Sequence, residues 1–236
     1  MTSLLLAGGL HAAPVVVSDP SLLNANDSVA WSQLGPDGTA VGPAFNAVSA
    51  QGNSVTGNLA GGAGCLAVVT NGVNCSWNAG TGFNAGDSVL WANDGNGGTG
   101  ALTLNFAGVF GAGLYLQADA FGSFMAQVQV FVGNVLANTF SVASDAAGSG
   151  VFIGALDNQA DITSMQFSLS SCGTADPACD INDFAVNTLQ LKVANSTAAV
   201  PEPATGALVV LSLGGLYAVR RRRRASTIPS QQGVSA

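Results

Sequence analysis

Glutamate and histidine are missing from residues 13–199, and that stretch holds a single cation, Lys192. The one histidine of the chain is His11 and the one glutamate is Glu202. Imidazole chemistry is therefore excluded from the body, and no Ser-His-Asp triad can be assembled there. G-x-S-x-G is also lacking. Acid–base work would fall to aspartates alone, so an Asp-dependent, two-carboxylate hydrolase is the enzyme class left open. Charged residues make up only 8% of the chain. Residues 13–199 carry a net charge of −11 and residues 200–236 carry +4. An acidic body with one cation cannot neutralise a phosphate backbone, which excludes nucleic acid as a partner. Helical periodicity sustained over three turns is missing too.

What the chain does have is glycine and apolar residues. Glycine fills 31 of 236 positions, and 48% of the residues are hydrophobic. That glycine content disfavours long helices and multiplies turns, while the apolar content suffices for a core. Several segments alternate with period two. Leu102, Leu104 and Phe106 share one face, as do Phe124, Ala126, Val128, Val130 and Val132, with Gln127 and Gln129 opposite. Val151–Ile153 and Met165–Leu169 read as further strands. Phe184 and Val186 have one parity and Leu189 and Leu191 the other, so a one-residue shift at Asn187-Thr188 reads as a β-bulge. Nearer the N-terminus, Ser28–Trp31, Phe45–Val48, Leu66–Val69 and Ser88–Trp91 read as strands, and Thr70–Gly86 as loop. The pattern predicts an all-β fold, an antiparallel β-sandwich of jelly-roll type over residues 13–194. Gly95 to Gly100 satisfy G-x-G-x-x-G, but a strand pattern follows where a dinucleotide site needs a helix, so the segment reads as a hairpin loop.

Four cysteines, Cys65, Cys75, Cys172 and Cys179, allow three pairings. Local pairing is expected, Cys65–Cys75 and Cys172–Cys179, because each pair brackets a turn-rich loop. Zinc knuckle spacing is not matched. Trp31 and Trp91 are expected in the core. Trp77, in an Asn-rich loop, is the candidate ligand-binding aromatic, suited to stacking on a sugar. Loop acids and amides suit turns, and oxygen-rich loops of this kind also bind calcium. Asp157, Asp161 and Asp183 are the candidate calcium ligands, and no other cofactor is implied.

The two ends differ from the body. Residues 1–12 contain the apolar run Leu4–Leu10 and end on Leu10-His11-Ala12, reading as the back half of a secretory signal without its basic start. After a linker, 195–199, comes a three-part segment. It consists of Val200-Pro201-Glu202-Pro203, then sixteen uncharged residues at 204–219, then Arg220, Arg221, Arg222, Arg223 and Arg224. As a helix the apolar run spans about 24 Å, short of the roughly 30 Å of bilayer hydrocarbon but extendable by snorkelling arginines. It reads as a single C-terminal transmembrane helix. The arginines orient it with the body outside and residues 225–236 as a disordered cytoplasmic tail.

Residues 200–224 together resemble the PEP-CTERM sorting signal of Gram-negative bacteria, also known as the ice-binding protein C-terminal domain. The tail of twelve residues after the arginines is longer than is usual for that signal. The resemblance implies an exosortase as partner, a membrane-embedded cysteine transpeptidase. Glu202 would serve as a recognition element and the arginines as the stop signal. It also implies an exported, non-enzymatic cell-surface or extracellular-matrix protein. Such a protein sits in the inner membrane with its body in the periplasm before processing, and at the cell surface or outside afterwards. Gly111–Asp119, Gly122-Ser123-Phe124, Val151–Gly154 and Asp183–Asn187 resemble the bodies of many such proteins. That likeness implies kinship with carbohydrate-binding modules, and so exopolysaccharide as an alternative partner.

Overall fold

The computed structural model describes residues 12–60, 64–69, 75–77, 82–92, 100–119, 122–172, 181 and 183–195. The expected signal (apart from Ala12), the sorting segment 200–224 and the tail 225–236 lie outside the described residues. The fold falls within residues 1–194, the first of two units.

The first half contributes β1 (Val15–Val17), β2 (Asp27–Val29), β3 (Ala40–Val41), β4 (Ala44–Val48), β5 (Ser54–Leu59), β6 (Gly64–Val69), β7 (Ser76–Trp77) and β8 (Ser88–Ala92). The second half contributes β9 (Leu102–Val109), β10 (Gly111–Ala118), β11 (Phe124–Val132), β12 (Val135–Ala143), β13 (Val151–Leu156), β14 (Ile162–Cys172), β15 (Phe184–Val186) and β16 (Leu189–Lys192). Two short helical pieces join them: α1 (Pro20–Leu23) and a 3-10 turn at Trp31–Leu34. The 3-10 turn takes Trp31, which the sequence pattern places in a strand.

Ten strands form one sheet and six the other. The larger runs β1-β13-β10-β15-β8-β6-β3, with β16 and β2 continuing beside β10 and β7 beside β6. The smaller runs β12-β11-β14-β9-β5-β4. Pairing is antiparallel throughout except for the parallel pair β6–β7. The expected all-β, two-sheet architecture is therefore present.

Alternation explains the core. Leu102, Leu104 and Phe106 of β9, Ala126, Val128 and Val130 of β11, and Met165, Phe167 and Leu169 of β14 are all buried. They join Ala112, Leu114 and Leu116 of β10 and Ile153 and Ala155 of β13 in one cluster between the sheets. Trp31 is fully buried in the same cluster, edge-on to Phe45 with ring centroids 6.1 Å apart, and its indole N–H donates to Asn187 O at 2.6 Å.

The shift expected at Asn187-Thr188 is present. Leu116 pairs with Val186, but Gly113 pairs with Gln190, one residue out of step. Asn187 bridges the step. Its N–H donates to Tyr115 O at 3.1 Å, and its side-chain oxygen accepts from Tyr115 N–H at 3.0 Å. The extra residue thus costs the ladder no hydrogen bond at that point.

The β4–β5 hairpin is tied to β2 by one buried carboxylate. Asp27 is 6% exposed. It accepts from Ser49 Oγ, Asn53 Nδ2 (2.7 Å), Gln51 N–H (2.9 Å) and Ser28 N–H (2.8 Å). Burial pushes its pKa up, but the four hydrogen bonds outweigh burial and hold it below the usual carboxylate value. A depressed folded-state pKa gives stability that is complete above the unfolded value, about pH 4, and is lost as pH falls through the folded one. Asp27→Ala should cost about 2–3 kcal/mol at pH 7, because buried donors lose a charged acceptor. In urea titrations the gap between wild type and variant should shrink on acidification below pH 4. A gap that stays constant with pH would contradict this account.

Candidate functional site

The two sheets differ in how their outer faces are treated. Strands β10 and β15 are buried on both faces, apart from the partly exposed Tyr115. On the outer side of the larger sheet Ala67, Val69, Trp77, Phe83, Val89 and Ala185 form a second buried cluster, with Cys75, Trp91 and Tyr115 packed against it. Next to it Val17, Leu23 and Phe152 form a third. The covering pieces are α1, through Leu23, and the segments 75–77 and 82–87, through Trp77 and Phe83. A disulfide between Cys65 and Cys75 pins this cover, with Cα atoms 6.3 Å apart. Gly82 lies backbone to backbone on Gly150, so close that a Cβ on Gly82 would stand 2.5 Å from Gly150 N.

Trp77 is therefore a core residue of this cover. It is 4% exposed, it packs edge-on to Trp91 at 5.6 Å, and Phe83 lies tilted beside it at 6.2 Å. Its indole N–H donates to Gln117 Oε1 at 3.0 Å, and Gln117 Nε2 donates to Gly148 O at 3.1 Å. A ring so enclosed offers no face to a sugar, which corrects the expectation of a stacking platform at Trp77. Trp91 is only partly buried and belongs to this outer cluster instead of the core between the sheets.

The expected Cys65–Cys75 bridge is present. Cys172 is also disulfide-bonded, and Cys179 lies outside the described residues. Asp157 opens the β13–β14 loop, where its Oδ1 accepts from Gln159 N–H at 3.3 Å, an Asx turn, and from Asn158 N–H at 2.6 Å. Asp161 closes the same loop. Asp183 precedes β15 and accepts from the Trp91 indole N–H. Among the described residues no three Asp, Glu, His or Cys side chains converge in a metal-holding group, so Asp157, Asp161 and Asp183 are not gathered into one site. Asp183 instead neighbours Asp119, whose N–H donates to Asp183 O at 3.1 Å. Burial raises the Asp119 pKa, although part of the residue remains exposed.

Among the described residues nothing covers the outer face of the smaller sheet, and its six strands contain no charged residue. Register aligns the outward side chains in rows across the strands. Asn58 pairs with Thr103, Thr103 with Gln166, Gln166 with Gln129, and Gln129 with Thr139. The neighbouring row runs Asn46, Thr56, Asn105, Ser164, Phe131. Register shifts flank Phe131 against both its neighbours, β12 and β14. Shifts of this kind bend a strand and re-aim its side chains.

A groove of about 440 Å³ lies there, lined by Thr103, Asn105, Phe131, Ser164 and Gln166 together with the β11–β12 turn and Thr163. Gln166 Nε2 donates to Thr103 Oγ1 at 3.3 Å, and Asn105 Nδ2 donates to Thr56 Oγ1 at 3.3 Å. Thr163 Oγ1 donates to Gly133 O at 2.7 Å and fixes the turn. The groove offers amides, hydroxyls and one half-buried ring, and no charge. Sequence reading missed it because its polar residues are split between β9, which supplies Thr103 and Asn105, and β14, which supplies Thr163, Ser164 and Gln166, strands far apart in the sequence. The outward Gln127 and Gln129 marked the polar side of β11 but do not line the groove.

Comparison of the chain with family models, with curated proteins and with solved structures gives no match. Among the described residues no helix is long and apolar enough to cross a membrane, and the expected span 204–219 lies outside them.

The two faces make opposite predictions for alanine. Trp77→Ala should cost about 3–5 kcal/mol by urea denaturation, as for a large buried aromatic. Gln129→Ala, on the open face, should stay within about 0.5 kcal/mol of wild type. Equal stabilities for the two variants would refute the burial assigned to Trp77.

Proposed function

We propose that this chain is an exported, non-enzymatic cell-surface or extracellular-matrix protein that carries a C-terminal exosortase sorting signal. The observation that carries the reading is the Cys65–Cys75 disulfide, which holds the cover of the larger sheet in place. Disulfides of this structural kind persist in oxidising compartments outside the cytosol. The order of Pro201-Glu202-Pro203, the uncharged run 204–219 and Arg220–Arg224 supports the same conclusion. Proline has no amide donor and favours extended backbone, which suits Pro201 and Pro203 to a processing enzyme, and an arginine cluster after an apolar run favours the cytoplasmic side. The body is of jelly-roll type in this reading. Support comes from the path β9 to β15, in which the chain crosses between the two sheets at every step except the β11–β12 hairpin. Nothing in the groove supplies a general base, which supports a binding role over a catalytic one.

The test is C-terminal peptide mapping by mass spectrometry on native protein from membrane and extracellular fractions. The mature chain should end close to Pro203 and lack Arg220–Arg224. A tail intact through Ala236 on membrane-bound protein would make the segment a permanent anchor and overturn the sorting role.

A further inference from the structure

We propose that the groove on the outer face of the six-stranded sheet binds a neutral, hydroxyl-rich polysaccharide laid across β9, β14 and β11, with Phe131 as its stacking platform. The inference rests on reading the chain as an exported surface protein, since such a ligand lies outside the cell.

The argument starts from which face is free. Both inner faces are consumed by the core. The outer face of the larger sheet is covered by α1 and the Trp77–Phe83 segments. The outer face of the smaller sheet has no such cover among the described residues.

Its chemistry then narrows the ligand. Thr103, Asn105, Ser164 and Gln166 line the groove. Hydroxyls and amides both donate and accept, so they match sugar hydroxyls, which do the same. No charged residue stands in the six strands, so a uronate, sulfate or phosphate polymer would find no cation to pair with. A protein partner would want an apolar patch core, and the groove supplies one aromatic ring only. Phe131 is half-buried and lines the groove. Its apolar face suits the C–H face of a pyranose.

The geometry favours a chain running across the strands. Polar rows lie perpendicular to the strands, with one residue per strand. Neighbouring strands stand about 4.8 Å apart, close to the advance of one sugar ring along an extended glycan. Each strand can thus serve one sugar. The Gln166–Thr103 and Asn105–Thr56 hydrogen bonds hold the polar side chains in position beforehand, which reduces the entropy lost on binding.

The test is affinity electrophoresis of the full-length chain through gels containing β-glucan, xylan, galactomannan or starch, with polygalacturonate as the acidic polymer. At least one neutral polymer should retard the wild type. Phe131→Ala should weaken that retardation about tenfold. Gln166→Ala should weaken it severalfold, and it serves alone if Phe131→Ala does not fold. Thermal midpoints should match the wild type for the variants compared. Free migration through all four neutral gels would overturn the proposal. So would variants retarded like wild type, or stronger retention by polygalacturonate. Such a failure in protein whose mature end lies near Pro203 rejects the glycan site and leaves the export reading intact. Retention by a neutral gel with an uncleaved tail does the reverse.

Discussion

Apolar side chains of β9, β11 and β14 meet those of β10, β13 and β15 between the sheets, and this contact decides what each face presents. Side chains alternate with period two, so the inward set fixes the outward set. A slip of one residue would carry Leu104, Val128 and Met165 to solvent and bring Asn105, Gln129 and Gln166 into the core. Burying those amides without partners would cost several kcal/mol in all, since each lost hydrogen bond costs about 1–3 kcal/mol. The polar rows and the groove at Phe131 follow from the same register. The rows need only polar residues at the positions the core leaves over, and the groove adds the β11–β12 turn that Thr163 fixes.

The larger sheet meets a different constraint. Strands such as β10 and β15 run through it buried on nearly every residue. A strand of that kind must be covered on both faces. The chain supplies the second cover from pieces too small to fold alone: a four-residue helix and the turns around Trp77 and Phe83. Such pieces gain little from their own backbone, so they need tethers. The Cys65–Cys75 bridge is one, and a disulfide closing so short a loop contributes about 2–3 kcal/mol by restricting the unfolded chain. The Trp77–Gln117–Gly148 hydrogen bonds are another. The disulfide is therefore tied to the architecture of the larger sheet and not to the groove.

Alternation made the strands around Leu104, Val128 and Phe167 legible in the sequence, because one parity was apolar and the other was not. The step at Asn187-Thr188 was legible for the same reason, and the Cys65–Cys75 pairing followed from proximity in the chain. Trp77 was misread because its flanks are Asn and Gly, which argue locally for an exposed loop. Its burial depends on Gln117, Gly148 and Phe83, and residues this distant in sequence leave no local trace. Trp31 went into a 3-10 turn because its indole needed Asn187 O, again a distant partner. The groove was invisible because it exists only once β9, β14 and β11 are paired in register.

An uncharged face has a cost at its edge. Strand β12 ends the six-stranded sheet and runs nine residues with no charge and no proline. Edges of that kind tend to recruit other strands, and charge or proline is the usual guard. Here the guard is an amide. Asn138 Oδ1 accepts from Thr139 N–H at 2.9 Å, and Asn138 Nδ2 donates to Pro14 O at 3.3 Å. The side chain occupies an edge donor that an incoming strand would need, and it ties the edge to the chain leading into β1. Among the described residues the aspartates lie outside the strands of the smaller sheet, and exposed ones such as Asp19 and Asp145 supply repulsion between copies that the neutral face lacks. Among the described residues, charge is thus kept off the strands of the smaller sheet, and the edge is guarded by hydrogen bonding in its place.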